Sequence, residues 1–171
     1  MERGNIALIG ASGSGKTSVG KALAALCGLD FFDTDKDIEK TENMPIPEIF
    51  ERLGEPYFRA SEADAVNRAA CLTKTVISTG GGCCLNPVNM QKLKETGVIV
   101  YLLSDAETIY RNIRHDSSRP LLQTDDKLKK IREMLAARVC LYEKYAELTV
   151  DVRGVTVAAA AELIKRGLLV Y

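Results

Sequence analysis

Short blocks of apolar residues alternate along this chain with longer stretches in which apolar positions recur every three or four residues. The blocks are Ile6-Ala7-Leu8-Ile9, Leu29-Asp30-Phe31-Phe32, Thr75-Val76-Ile77-Ser78-Thr79, Val98-Ile99-Val100-Tyr101-Leu102-Leu103 and Leu148-Thr149-Val150-Asp151. Their length and their β-branched and aromatic content predict strands. The first intervening stretch places Val19, Ala22, Leu23 and Leu26 on one helical face and closes at Gly28, a residue suited to a left-handed cap. Further helices are predicted over 46–53 and 56–72, parted near Gly54, over about 86–95 before Gly97, from about 106, over a long span ending near 145, and from about 157. The block from Val98 is apolar without interruption, as a strand is when helices cover both faces of its sheet. Strands alternating with helices imply an α/β fold with five parallel strands. A length of 171 residues without a long Pro, Gly or Ser tract implies one domain spanning 1–171.

In such a sheet ligands bind beyond the carboxyl ends of the strands, so the segments just after each strand carry the chemistry. The first is Gly10-Ala11-Ser12-Gly13-Ser14-Gly15-Lys16-Thr17, which fits G-x-x-x-x-G-K-[ST] between a predicted strand and a predicted helix. Glycines let backbone N–H groups turn in around phosphate oxygens, and the helix beginning near Lys16 points its positive end at them. Lys16 is placed to reach β and γ phosphates, and Thr17 to ligate Mg2+ bridging the same oxygens. The residues expected to hold the ATP phosphates are Gly13, Ser14, Gly15, Lys16, Thr17 and Ser18.

Asp33-Thr34-Asp35 admits two readings: an Asx cap before Lys36, or a metal-side carboxylate and a hydroxyl-facing carboxylate in one cleft. Its place on the phosphate-loop edge favours the second. Gly80-Gly81-Gly82 is more glycine than a plain turn requires and suggests close backbone approach to a ligand. Arg59, Arg119 and Arg138 are candidate anion contacts, although most helical arginines are solvated.

Charge and cysteine content narrow the classes of partner. Lys plus Arg and Asp plus Glu number 23 each, which gives no global attraction to nucleic acid or anionic membrane. No apolar stretch has the length of a bilayer span, and the first strand begins near Met1, so a cytosolic protein without a leader is expected. Five cysteines without a C-x-x-C pair predict reduced thiols rather than disulfides or zinc, and Cys83-Cys84 read as small packing residues at a corner. His115 reads as a loop residue, and a monomer is expected because no exposed apolar seam is legible.

Taken together in order, the glycine loop, Phe32-Asp33-Thr34-Asp35, Phe58-Arg59, Thr79-Gly80-Gly81-Gly82, Arg119-Pro120-Leu121-Leu122 and Arg138-x-x-Leu141-Tyr142 resemble the shikimate kinases from Asn5 to about Asp151. The resemblance implies a P-loop NTPase of the nucleoside monophosphate kinase-like fold that transfers the ATP γ-phosphoryl to the 3-hydroxyl of shikimate, on the route to aromatic amino acids. It implies that Asp35 binds the reacting hydroxyl and takes its proton, that Asp33 holds Mg2+ through water, and that Arg59, Arg138 and the backbone of Gly80, Gly81 and Gly82 grip the substrate, the two guanidiniums matching its carboxylate. It places substrate-binding helices over about 34–60 and a mobile lid over about 114–125, from which Arg119 closes on the transferring phosphoryl. Arg111 corresponds to an adenine-stacking arginine, and Arg153 in the loop after Val150 is a second adenine-side candidate.

Two rivals stand beside this reading. Ser12 makes the loop look equally like that of gluconate kinases, and a noncatalytic nucleotide-binding module would keep the fold without the reaction. Against the first stand Asp33-Thr34-Asp35, Arg59, Gly80 to Gly82 and Arg138 together; against the second stand Lys16, Thr17, Asp35, Arg59, Arg119 and Arg138, since a binding-only module needs no hydroxyl-facing carboxylate. A loose phosphoryl-transfer transition state carries its charge on equatorial oxygens, where a positioned guanidinium matters most. Arg119→Ala is therefore expected to lower kcat by roughly 10³-fold, measured by steady-state ADP release; near-normal turnover would remove Arg119 from the catalytic set.

Overall fold

A computed structural model describes residues 4–114 and 126–169. In chain order the elements are β1 (Asn5–Ile9), α1 (Lys16–Cys27), β2 (Asp30–Asp33), α2 (Thr34–Glu42), α3 (Ile46–Arg52), α4 (Gly54–Ala70) and β3 (Thr75–Ser78). After a 3-10 turn at Cys83–Leu85 come α5 (Pro87–Thr96), β4 (Gly97–Leu103), α6 (Ala106–Ile113), α7 (Lys127–Tyr145), β5 (Leu148–Asp151) and α8 (Val157–Leu168). The strands form one sheet in the order β2-β3-β1-β4-β5, with every pairing parallel.

The expected pattern of strands is observed, and the side-chain period of two sorts their residues between two cores. Leu8, Val76, Val100 and Leu102 face α1 and α8, where Leu23 and Ile164 meet them. Ala7, Ile77, Ile99 and Tyr101 face the other way, against Val66 of α4, Leu93 of α5 and Tyr142 of α7. A third cluster, Ile38, Ile49, Phe58 and Ala65, binds α2, α3 and α4 into a layer beside the sheet edge. The Phe50 and Phe58 rings lie 4.7 Å apart there.

Helix α2 had no legible period of its own. Only Thr34 and Ile38 of its nine residues are buried, so there is no apolar stripe to read. The helix expected over 56–72 instead spans Gly54–Ala70, and Asn86 caps α5 by accepting from Val88 N at 3.0 Å. Among the described residues no helix is long and apolar enough to cross a membrane.

Strand order puts the phosphate loop in the middle of the carboxyl edge. The chain leaves β1 toward β2 and β3 on one side, then crosses to β4 and β5 on the other, so a crevice opens beside β1. The entry to this arrangement is held by Asn5, whose Oδ1 accepts from Thr75 N at 3.1 Å while its Nδ2 donates to Leu72 O at 2.7 Å. Opposite Asn5 across the other ladder is Gly97, where a Cβ would lie 2.5 Å from Asn5 O and 2.8 Å from Asn5 C. Backbone cannot yield as a side-chain tip can. Gly97→Ala is expected to destabilise the fold by about 2 kcal/mol through overpacking, measured by urea denaturation.

Candidate active site

Residues 10–15 wrap the carboxyl end of β1 and deliver Lys16 as the first residue of α1. Gly15, at φ 92°, is the helix N-cap, a left-handed conformation that suits glycine. Lys16 is buried, and its ammonium donates to Gly10 O and Ala11 O at 2.8 Å each, so its own loop shapes its approach to the cavity in front. Asn112 of α6 ties the same loop down by donating to Gly13 O at 2.9 Å.

That cavity, of about 400 Å³, is lined by Gly13, Gly15, Lys16, Thr17 and Ser18 among others. A second, of about 210 Å³, is lined by Arg59, Glu62, Arg138 and the three glycines together with apolar Ile46, Phe50 and Met134. Ser12, Thr17, Asp33, Asp35 and Gly81 line both, forming the wall where the two meet. A third cavity, of about 260 Å³, lies on the far flank of the loop beside Ser14 and Gly15 and is lined by Arg111, Asn112 and Val155. Arg153 does not line it; its guanidinium is drawn back onto Asp151, at 2.8 Å from Nε and 2.5 Å from Nη2, and holds that carboxyl down to about 2.

Asp33 forms the expected cap and also reaches the phosphate loop. Its Oδ1 accepts from Asp35 N at 3.1 Å and Lys36 N at 3.2 Å, capping α2, while its Oδ2 accepts from Thr17 Oγ1 at 2.7 Å across the phosphate loop. The pair Thr17 and Asp33 thus presents hard oxygen donors to the phosphate cavity, the donor type a magnesium ion prefers. No group of three or more His, Cys, Asp or Glu side chains placed to hold a metal occurs among the described residues.

The glycine triplet is required by what surrounds it. A Cβ on Gly80 would stand 2.8 Å from both Asp35 Oδ1 and Glu62 Oε1, and one on Gly81 would stand 2.7 Å from Ser12 N. The Arg59 guanidinium lies directly on Gly82, with Nη2 2.7 Å from where a Cβ would be. Thr34 Oγ1 accepts from Gly80 N at 3.1 Å and locks the turn to α2. From α7, Arg138 Nη1 and Tyr142 OH both donate to Gly81 O, at 3.3 Å and 2.7 Å.

Arg59 is held in a carboxylate cage, 2.9 Å from Glu55 and 3.0 Å from Glu62. Glu62 is 1% exposed; burial pushes its carboxyl above the usual range, opposed by Arg59 and then Arg138. Its Oε1 has no hydrogen-bond partner among the described residues and faces Gly80, which leaves an acceptor for a ligand donor. Sequence reading missed Glu62, Thr34 and the role of Tyr142; the spacing of Arg59 and Glu62 at i,i+3 on one helix was the available signal for the first. Cys83 and Cys84 lie buried under the turn, where burial pushes both thiols up and keeps them protonated. Arg119, His115 and the expected lid beyond Arg114 lie outside the described residues.

A phosphate loop at the centre of a parallel sheet of order β2-β3-β1-β4-β5, facing a second basic and carboxylate-lined cavity, defines a P-loop phosphotransferase of the nucleoside monophosphate kinase-like fold. Residues 12–167 match the family model described as shikimate kinase, and the chain belongs to that family. A shikimate kinase of Caldanaerobacter subterraneus subsp. tengcongensis is 46% identical over 162 residues, 95% of this chain and 94% of that protein. The solved shikimate kinase of Acinetobacter baumannii in complex with shikimate superposes with a TM-score of 0.96 at 36% identity, covering 99% of this chain and 94% of the other. A gluconokinase of Sinorhizobium meliloti shares the fold at a TM-score of 0.55 and 21% identity, over 98% of this chain and 97% of its own.

The double duty of Asp33 separates by substitution. Asp33→Ala is expected to lower the unfolding free energy by about 1 kcal/mol through loss of the cap, whereas Asp33→Asn, which keeps a capping oxygen, stays within about 0.3 kcal/mol of wild type. Urea denaturation without nucleotide reads the difference.

Proposed function

We propose that this chain transfers the γ-phosphoryl group of ATP to the 3-hydroxyl of shikimate, giving shikimate 3-phosphate and ADP. The observation that carries this reading is the shared wall: Asp35 borders both the phosphate cavity, with Lys16 and Thr17, and the smaller cavity, with Arg59 and Arg138. A hydroxyl held at Asp35 would face the triphosphate, which is the in-line placement phosphoryl transfer needs.

Shikimate is a small hydroxylated carboxylate, and the smaller cavity matches each part of that description. Arg138 makes no ion pair among the described residues, so its guanidinium fork is open to a carboxylate. Arg59 comes preorganised by Glu55 and Glu62, so little side-chain freedom is lost on binding. Glu62 Oε1 offers an acceptor to a substrate hydroxyl, and Ile46, Phe50 and Met134 supply an apolar side for the ring. Asp35 accepts the proton of the attacking hydroxyl as the bond to phosphorus forms. Lys16 steadies the β and γ phosphates, with Arg119 as the further cation over the transferring group. Mg2+ held by Thr17 and Asp33 would neutralise charge developing between the β and γ oxygens when bound. The cavity beside Ser14, with Arg111, is the proposed seat of adenine, and the chain is proposed to act as a monomer.

The test is ADP release from ATP and magnesium with shikimate, gluconate and nucleoside monophosphates offered in parallel. Turnover confined to shikimate is expected, and Asp35→Asn should lower its kcat by about 10²-fold or more. Turnover of gluconate or a nucleotide without shikimate would overturn the assignment, and ATP binding without any turnover would favour a noncatalytic module.

A further inference from the structure

The Arg138-x-x-Leu141-Tyr142 segment contains a tyrosine that the reaction does not use. Tyr142 is 1% exposed, its ring stacks on Tyr101 of β4 at 5.1 Å, and its hydroxyl donates to Gly81 O at 2.7 Å. Arg138, one turn earlier on α7, donates to the same oxygen over a longer 3.3 Å. Burial pushes the phenol of Tyr142 above its ordinary range, so it remains a hydrogen-bond donor throughout the neutral pH range.

We propose that Tyr142 is the positioning residue of the acceptor site, setting the orientation of the Gly81–Gly82 peptide and leaving Arg138 free to engage the substrate. Three successive glycines offer no side chain to resist rotation of a peptide plane, so the turn's own sequence does not select one orientation. In a trans peptide the Gly82 N–H points opposite to the Gly81 carbonyl. Anchoring the carbonyl toward α7 therefore fixes the direction of the Gly82 N–H beside Arg59, which lies on that residue. The strand pairing seats Gly81 against Ser12 of the phosphate loop, and this anchor fixes the peptide orientation presented there. Without it, Arg138 is the remaining side chain holding Gly81 O, and its guanidinium is drawn toward backbone and away from a carboxylate.

The proposal rests on shikimate being the acceptor, and Tyr142→Phe tests it because the ring, its stacking and the core volume are kept. The KM for shikimate is expected to rise about five-fold, the scale of one lost hydrogen bond, with the KM for ATP within about two-fold. Tyr101→Phe, which removes a phenolic hydroxyl from the same stacked pair but not the one bonded to Gly81, is expected to leave the shikimate KM within about two-fold. A shikimate KM unchanged in Tyr142→Phe would overturn the proposal. So would a parallel rise in both KM values, or an equal effect of Tyr101→Phe, since either marks general loosening of the core. A wild-type chain inert toward shikimate would overturn the acceptor assignment itself, and this proposal with it.

Discussion

Everything at the carboxyl edge depends on the parallel pairing of β1 with β3. The register Ile6 to Val76, Ala7 to Ile77 and Leu8 to Ser78 brings the two strands to their ends side by side. Thr79 then closes the pairing twice, donating to Leu8 O from its backbone at 3.2 Å and from its hydroxyl at 2.9 Å. Because both strands are buried along their length, slipping this register by one residue would reverse every side chain between the two cores. The phosphate loop and the glycine turn are thereby held as neighbours, close enough that Gly81 admits no side chain against Ser12.

From that adjacency follow two cavities that share a wall. Phosphoryl transfer asks the protein mainly for position and for charge in a sheltered place, and both are built from backbone here before any side chain is counted. Asp33 illustrates the economy of the edge: one oxygen caps α2 and the other meets Thr17, so the helix that carries Asp35 is anchored by the same carboxylate that faces the phosphate loop. Shifting Asp33 would move both at once.

The smaller cavity is governed by burial of charge. A carboxylate as enclosed as that of Glu62 is tolerated only with a close cation, and Arg59 at 3.0 Å supplies it, while Glu55 holds the exposed end of the same guanidinium. Arg59 is accordingly fixed before any ligand arrives. Arg138 is treated differently, bonded to a backbone carbonyl and making no ion pair among the described residues. One arginine is thus held between two carboxylates, and the other is tied to backbone.

Much of this was legible in local pattern. The strand blocks, Gly10 to Thr17, Asp33, Asp35, the glycine triplet and the two arginines could be read because each depends on short-range requirements: period, turn conformation, or residue chemistry next to a strand end. Helix α2 could not, because its partners are in α4 and its own surface is polar. Glu62 could not be singled out from any other helical glutamate until α4 packed it under Gly80, and Tyr142 could not be told from a core aromatic until α7 brought its hydroxyl to Gly81. The sequence by itself determined the fold class, the phosphate loop and the residue chemistry that follows each strand end. Only the tertiary structure decided which of those residues share a wall and which buried groups hold them there, because burial and hydrogen bonding between elements distant in the chain arise only when the sheet brings their ends together.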